Sequence, residues 1–88
     1  VRESKVSEYK SLKYELLDAV VLVRDLPGHS LRAGDLGTIV ELYGTDAFEV
    51  EFVTVSGRTG ALATLKSEDV RPVADTDLVA VRSLKLSA

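Results

Sequence analysis

His29, the one histidine, stands beside Ser30 in Pro27-Gly28-His29-Ser30, which invites a base-and-nucleophile reading. Neighbouring residues rarely reach the hydrogen-bond geometry that such a pair requires, so catalysis is not expected there. Glu49 and Glu51 lie two residues apart in an alternating segment, which sets them on one strand face roughly 7 Å apart. Two carboxylates near that spacing do acid–base work when one of them is desolvated. On the outer face of a small barrel, with no cleft to raise a pKa, both are expected to be solvated. Gly34-Asp35-Leu36-Gly37 has the glycines of a phosphate cradle but leads into a strand. The helix start whose amides would hold the phosphate is missing.

Metal and nucleic acid are disfavoured on composition. The sequence has no cysteine and one histidine, so a zinc site would need carboxylates for every other ligand. Arg24, Arg32, Arg58 and Arg71 could make a phosphate patch. Over residues 18–73, however, five basic residues face nine acidic ones, a balance of −4. That sign is wrong for phosphate contacts, and Tyr43 is the only surface aromatic placed to stack on a base. The expectation is a protein that is not an enzyme and holds no cofactor or metal.

The elements that must position these residues form three parts. Residues 1–17 are polar, with apolar positions at Val6, Tyr9, Leu12 and Leu16, one face of a helix capped by Ser4. Residues 18–73 are short β-branched runs separated by glycine-bearing turns. Strands are expected at 19–24, 36–43, 47–54, 59–65 and 70–73. The third is the clearest, with Phe48, Val50 and Phe52 alternating against Glu49 and Glu51. A long loop at 25–35 follows the first strand, and Ser56-Gly57 suits a hairpin turn. Ser67 is expected to cap a single helical turn at 67–69. Residues 74–88 form an arm too apolar for a free solvated end, through Leu78, Val79, Val81, Leu84 and Leu86. Its pattern fits either a strand or a helix.

A sheet this small hides its edges best by curling up, so the fold expected is mainly β, a five-stranded SH3-like antiparallel barrel. An open sheet covered by the amino-terminal helix is the alternative. The core expected is Val21, Leu36, Val40, Phe48, Val50, Phe52, Leu62, Leu65 and Val70. One of Ile39 and Val40 must leave it, since neighbours in a strand face opposite ways. Gly37 is expected where a side chain would collide.

From Leu17-Asp18-Ala19-Val20-Val21-Leu22 through Asp25-Leu26-Pro27, Gly34-Asp35-Leu36-Gly37-Thr38-Ile39-Val40 and Phe48-Glu49-Val50-Glu51-Phe52, the order of residues resembles one family. Ala61-Leu62-Ala63-Thr64-Leu65 and Asp69-Val70-Arg71-Pro72-Val73 continue the likeness. It is a set of short bacterial domains, domain of unknown function 4926, and the resemblance covers residues 17–73. The family carries a larger aliphatic residue where this chain has Gly60, and both arms lie outside the common domain. The glycine-led second strand is more distantly similar to the SH3-like barrels of ribosome-associated modules and nitrile hydratase β subunits. The resemblance implies no catalytic or cofactor residues.

Two apolar arms on a very small core point to a protein partner. The leading expectation is a non-catalytic binding module or small accessory subunit of a cytoplasmic bacterial assembly, with self-association through the arms. Its contact residues are expected among Asp25, Leu26, His29, Leu31, Arg32, Tyr43, Leu78, Val81 and Leu84. The alternative is an antitoxin or immunity-type inhibitor, for which an acidic chain of net charge −3 would suit a small basic toxin. The longest unbroken apolar run, residues 19–23, is far short of a membrane span, and no charged-then-apolar leader stands ahead of it.

Overall fold

A computed structural model of the chain describes residues 14–84. Five strands are present: β1 (Ala19–Leu22), β2 (Leu36–Tyr43), β3 (Ala47–Val53), β4 (Thr59–Lys66) and β5 (Val70–Pro72). All neighbours are antiparallel, in the order β4-β3-β2-β1-β5. Two short 3-10 turns, Pro27–His29 and Ser67–Asp69, complete the regular structure of the described residues.

The expected barrel does not close. Among the described residues β4 pairs only with β3, and β5 only with β1. β5 is three residues long and ends at Pro72, which has no amide hydrogen to extend a ladder. β4 is bent at its start by a bulge, since Phe52 faces Ala61 and Val53 faces Thr59, leaving Gly60 without a partner. The result is an open five-stranded sheet. The expected helix over 1–17 falls mainly on residues outside those described. Over residues 15–18 the chain makes a turn, closed by the Asp18 N–H donating to the Glu15 carbonyl at 3.1 Å. Leu17 has a φ of 72°, which no helix accommodates.

One face carries the core: Val20, Leu22, Leu26, Leu31, Ile39, Phe48, Val50, Phe52, Ala63, Leu65 and Val70. Tyr14 packs on it, its ring edge-to-face with Phe48 at 5.4 Å between centroids. The alternation of β3 dictates its part, and Phe48, Val50, Phe52, Leu65 and Val70 lie where expected.

Four expected core positions change. Ile39 pairs with Val50 and stays inside, whereas Val40 is the extra residue of a bulge before Glu41 and is only half-buried. Leu36 pairs with Val21 on the outer face, and Leu62 pairs with Glu51 there; both are about half exposed. Ala63 takes the inward place in β4. Val21 is buried, but on the opposite face from the core, while Val20 and Leu22 point in. A strand covered on both faces cannot be oriented from its own apolar run.

Gly37 lies against β3. A Cβ added there would stand 2.5 Å from Val50 Cγ1 and 2.8 Å from Phe52 Cε2, so the expected collision is real. Gly57 holds the β3–β4 hairpin with a φ of 91°. Ser67 does not cap the turn that it begins. Its hydroxyl donates to Asp46 Oδ1 at 2.8 Å, while Asp69 Oδ2 accepts the Lys66 N–H at 2.9 Å.

Candidate functional site

The outer face of the sheet divides in two. On β2, β3 and β4 it is acidic and polar. Glu41 and Glu49 are opposite each other in the ladder, a like-charge pair that opposes pairing. Glu49 Oε1 accepts the Thr64 hydroxyl at 2.6 Å and meets the Tyr43 hydroxyl at 3.5 Å. Glu51 accepts the Thr59 hydroxyl. Partial desolvation, together with the nearby Glu49 and Glu41 carboxylates, pushes the Tyr43 phenol above its ordinary pKa.

On β1 and the start of β2 the outer face carries the apolar Val21 and Leu36, with Arg71 of β5 beside them, and the carboxy-terminal arm crosses it. That arm, over residues 73–84, is neither of the expected elements; it forms an irregular strap. Two arginine–aspartate forks fasten it. Asp77 receives Arg71 through Nη1 to Oδ2 at 3.0 Å and Nη2 to Oδ1 at 2.9 Å, and also the Ala74 N–H at 2.6 Å. These donors hold the Asp77 carboxyl well below its ordinary value, at about 2, with the Arg71 bond the largest cause. Further along, Arg82 donates from Nε to Asp35 Oδ1 at 3.0 Å and from Nη2 to Asp35 Oδ2 at 2.5 Å. Its Nη2 also reaches the Ser30 carbonyl at 3.0 Å. Burial pushes Asp35 upward, but Arg82 and the Arg32 N–H outweigh it, so the carboxyl titrates below its usual range.

Leu84 of the strap is half-buried against the core beside Gly60. Between the forks the strap stands off the sheet. A cleft of about 450 Å³ opens beneath it, lined by Val21, Leu36, Val73, Leu78 and Val79 with Arg71 and Arg82 at its margin. Leu78, Val79 and Val81 are 94%, 84% and 89% exposed. Among the described residues, residues 78–81 make no hydrogen bond with side chain or backbone. The arrangement therefore displays large apolar groups on a segment fixed at both ends.

The expected contact residues are scattered across this geometry. Leu26 and Leu31 bridge each other across the β1–β2 loop and are buried in the core, so they present nothing to a partner. Folding that loop around its own leucines leaves Asp25, His29 and Arg32 on its surface. Asp25 accepts the Ala33 N–H at 2.9 Å and so helps shape the loop. Tyr43 is half exposed on the acidic side, away from the strap. Leu78 and Val81 are on the strap's free surface, and Leu84 is its anchor. Of the four arginines considered as a patch, Arg24 is paired with Asp69 at 2.7 Å and Arg71 with Asp77. Burial raises the Asp69 carboxyl, but the Arg24 and Lys66 donors more than compensate and hold it low. Among the described residues no group of three or more His, Cys, Asp or Glu side chains gathers as a metal site would require.

Sequence reading missed Asp35, Asp77 and Arg82, the residues that fasten the strap. Asp77, three residues after Ala74 in a polar turn, has the spacing of a side chain that caps its own backbone, and this was the available signal. Asp35 and Arg82 are 47 positions apart. No local pattern joins them.

The chain belongs to the family described as Domain of unknown function (DUF4926), whose profile matches residues 16–72. No curated protein and no solved structure matches the chain. The family match includes Asp35, Gly60 and Arg71, which receive the strap. It ends before Asp77, Arg82 and Leu84, which are the strap's own contributions.

Proposed function

We propose that this chain is a non-catalytic protein-binding module, a small accessory subunit of a cytoplasmic bacterial assembly. Its contact surface is the strap together with the exposed side of the β1–β2 loop. The observation that carries this reading is the display of Leu78, Val79 and Val81 between the Arg71–Asp77 and Arg82–Asp35 forks. Apolar groups of this size gain nothing from solvent, and anchored backbone lowers the ordering cost that binding otherwise incurs.

The test is affinity capture from native lysate with quantitative mass spectrometry. The full chain is compared with a triple variant, Leu78→Ser with Val79→Ser and Val81→Ser, and with Glu51→Gln as a control on the other half of the sheet. One protein recovered by the parent and by Glu51→Gln but lost with the triple variant supports the reading. Recovery that ignores the strap substitutions sinks it.

A second reading has its own observation. Glu41, Glu49 and Glu51 share the outer face of β2 and β3, which would favour a basic protein such as a small toxin. In that case Glu49→Lys with Glu51→Lys abolishes capture and the strap variant does not.

A further inference from the structure

We infer that the groove holding Arg82 and Leu84 is a peptide-recognition site, filled in this chain by its own strap. It takes an extended segment of another protein that carries an arginine and, two residues on, a leucine. This groove is a different surface from the exposed side of the strap and does not depend on the contact proposed there.

The arginine subsite is built from the β1–β2 loop. Asp35 accepts Arg82 Nε on one carboxylate oxygen at 3.0 Å and Nη2 on the other at 2.5 Å, and the Ser30 carbonyl accepts Nη2 at 3.0 Å. A two-pronged carboxylate with a carbonyl beside it fits the planar guanidinium better than the ammonium of lysine. The Arg32 N–H donates to Asp35 Oδ2 at 2.8 Å, so the loop itself orients the acceptor.

The leucine subsite is the bulge of β4. Gly60 has no side chain, and Leu84 Cδ2 lies where its Cβ would reach, in a space bordered also by the Phe52 carbonyl and the Thr54 methyl group. Arg82 and Leu84 are half-buried while Ser83 between them is exposed, the period of an extended peptide lying on a surface.

Three observations mark the strap's tip as an occupant of this site and not a part of it. Ser30, Asp35 and Gly60 fall within the family match over residues 16–72, and Arg82 and Leu84 fall outside it. Residues 78–81 make no hydrogen bond among the described residues, so the tip hangs on a loose length of chain and is able to leave as a unit. The fit is also incomplete. A second cleft of about 340 Å³ remains beside Arg82 and Leu84, walled by Leu36, Phe52, Val53 and Val55, of which Leu36 and Val53 are half exposed and Val55 almost wholly so. Ala80, two residues before Arg82, lines this cleft with a single methyl group. A partner segment with a larger apolar residue there buries what the strap leaves open, and that surplus lets it compete with an occupant tethered in the same chain.

Peptide binding by the full chain tests this. The probe is a fluorescein-labelled peptide of residues 78–84, and the receptor is the chain with Arg82→Ala and Leu84→Ala, which empties the groove of its own tip. This variant is expected to bind the probe at least tenfold more tightly than the parent, whose tip competes. In the probe, Arg82→Lys or Leu84→Ala is expected to weaken binding at least tenfold, and Ala80→Leu to tighten it by as much. Adding Asp35→Asn or Gly60→Val to the receptor is expected to abolish binding, and asparagine keeps an acceptor for the Arg32 N–H. Native NMR shifts of Phe48 and Phe52 control for folding. A folded receptor that ignores the probe overturns the inference, as does binding indifferent to the probe's arginine and leucine.

The unmodified parent gives a second readout. An excess of the Ala80→Leu probe is expected to move the Leu84 methyl resonances of the protein to solvent-exposed shifts. Resonances that stay in place at about millimolar probe overturn the inference. Sedimentation of the parent covers the other occupant. Self-association that is lost with Arg82→Ala and Leu84→Ala fills the groove with the tip of a second copy and overturns the assignment to another protein.

Discussion

Leu84 occupies the place that a side chain on Gly60 would take: a Cβ there would lie 2.6 Å from Leu84 Cδ2. Gly60 is the bulged residue of β4, and Leu84 of the arm sits on it. Because Leu84 is the flexible partner in this contact, Gly60→Val is expected to eject the leucine and leave the sheet folded. Leu84→Ala should cost about 1 kcal/mol, in keeping with a half-buried leucine. The double variant should be no less stable than Gly60→Val alone, since the two changes act on one contact. Denaturant melts of the four proteins, with proteolysis of the arm as a second readout, check this. Strict additivity would show that Leu84 does not sit on Gly60.

Acid should release the strap before it unfolds the sheet. Asp77 titrates at about 2 in the folded chain, and Asp35 is also lowered. An unperturbed aspartate titrates at about 3.9. A depressed folded pKa gives stability that is complete above the unfolded value and is lost as pH falls through the folded one. The forks should therefore weaken between about pH 4 and pH 2. Methyl NMR of Leu84 through that window is expected to show the leucine leaving the core while Phe48 and Phe52 keep their native shifts. Asp77→Asn should remove most of the pH dependence at that end of the strap.

Two glycines should fail for different reasons. Gly37→Ala drives a methyl group into Val50 and Phe52, an overpacking expected to cost about 1–3 kcal/mol. Nothing lies within 4 Å of a Cβ on Gly57, but its φ of 91° strains any β-branched residue. Gly57→Val should cost about 1–3 kcal/mol through the backbone alone. Asparagine, which tolerates positive φ, separates the cases: Gly57→Asn should recover part of the loss, and Gly37→Asn should be worse than alanine.

The two faces of β3 should respond very differently. Phe52 is buried in the core, and Phe52→Ala is expected to cost about 3–5 kcal/mol, comparable with the whole stability of so small a domain. Glu51, its neighbour on the outer face, hydrogen-bonds Thr59, and Glu51→Gln keeps an acceptor there. That change should stay within about 0.5 kcal/mol. Chemical denaturation measures both, and a Phe52→Ala protein that melts like the parent would falsify the strand register.

How far the fold could be read depended on whether a strand is covered on one face or on two. β3 has core on one side and solvent on the other, so Phe48, Val50 and Phe52 announced themselves by alternation. β1 is covered by the core on one side and by the strap on the other, so Val20, Val21 and Leu22 are all buried and periodicity is silent. The bulges at Val40 and Gly60 each insert a residue and shift the facing of their strands, and in β4 the small Ala63, with Leu65, takes the inward place while the larger Leu62 faces out. Leu26 and Leu31 looked like surface residues because their loop is rich in glycine and polar groups. The loop folds around them instead.

By itself the sequence determined that this is a small, mainly β domain of the family over residues 16–72, with its turns placed by glycine and its central strand by alternation. Those features arise within a few residues along the chain, where backbone φ and side-chain period act directly. Tertiary structure alone decided that the sheet stays open, that the arm lies across it, and that Leu78, Val79 and Val81 are held in solvent. Each of these depends on contacts between residues far apart in sequence: Asp35 with Arg82, Gly60 with Leu84. A salt bridge or a filled bulge has no period, and its partners are fixed only when the rest of the chain has brought them together.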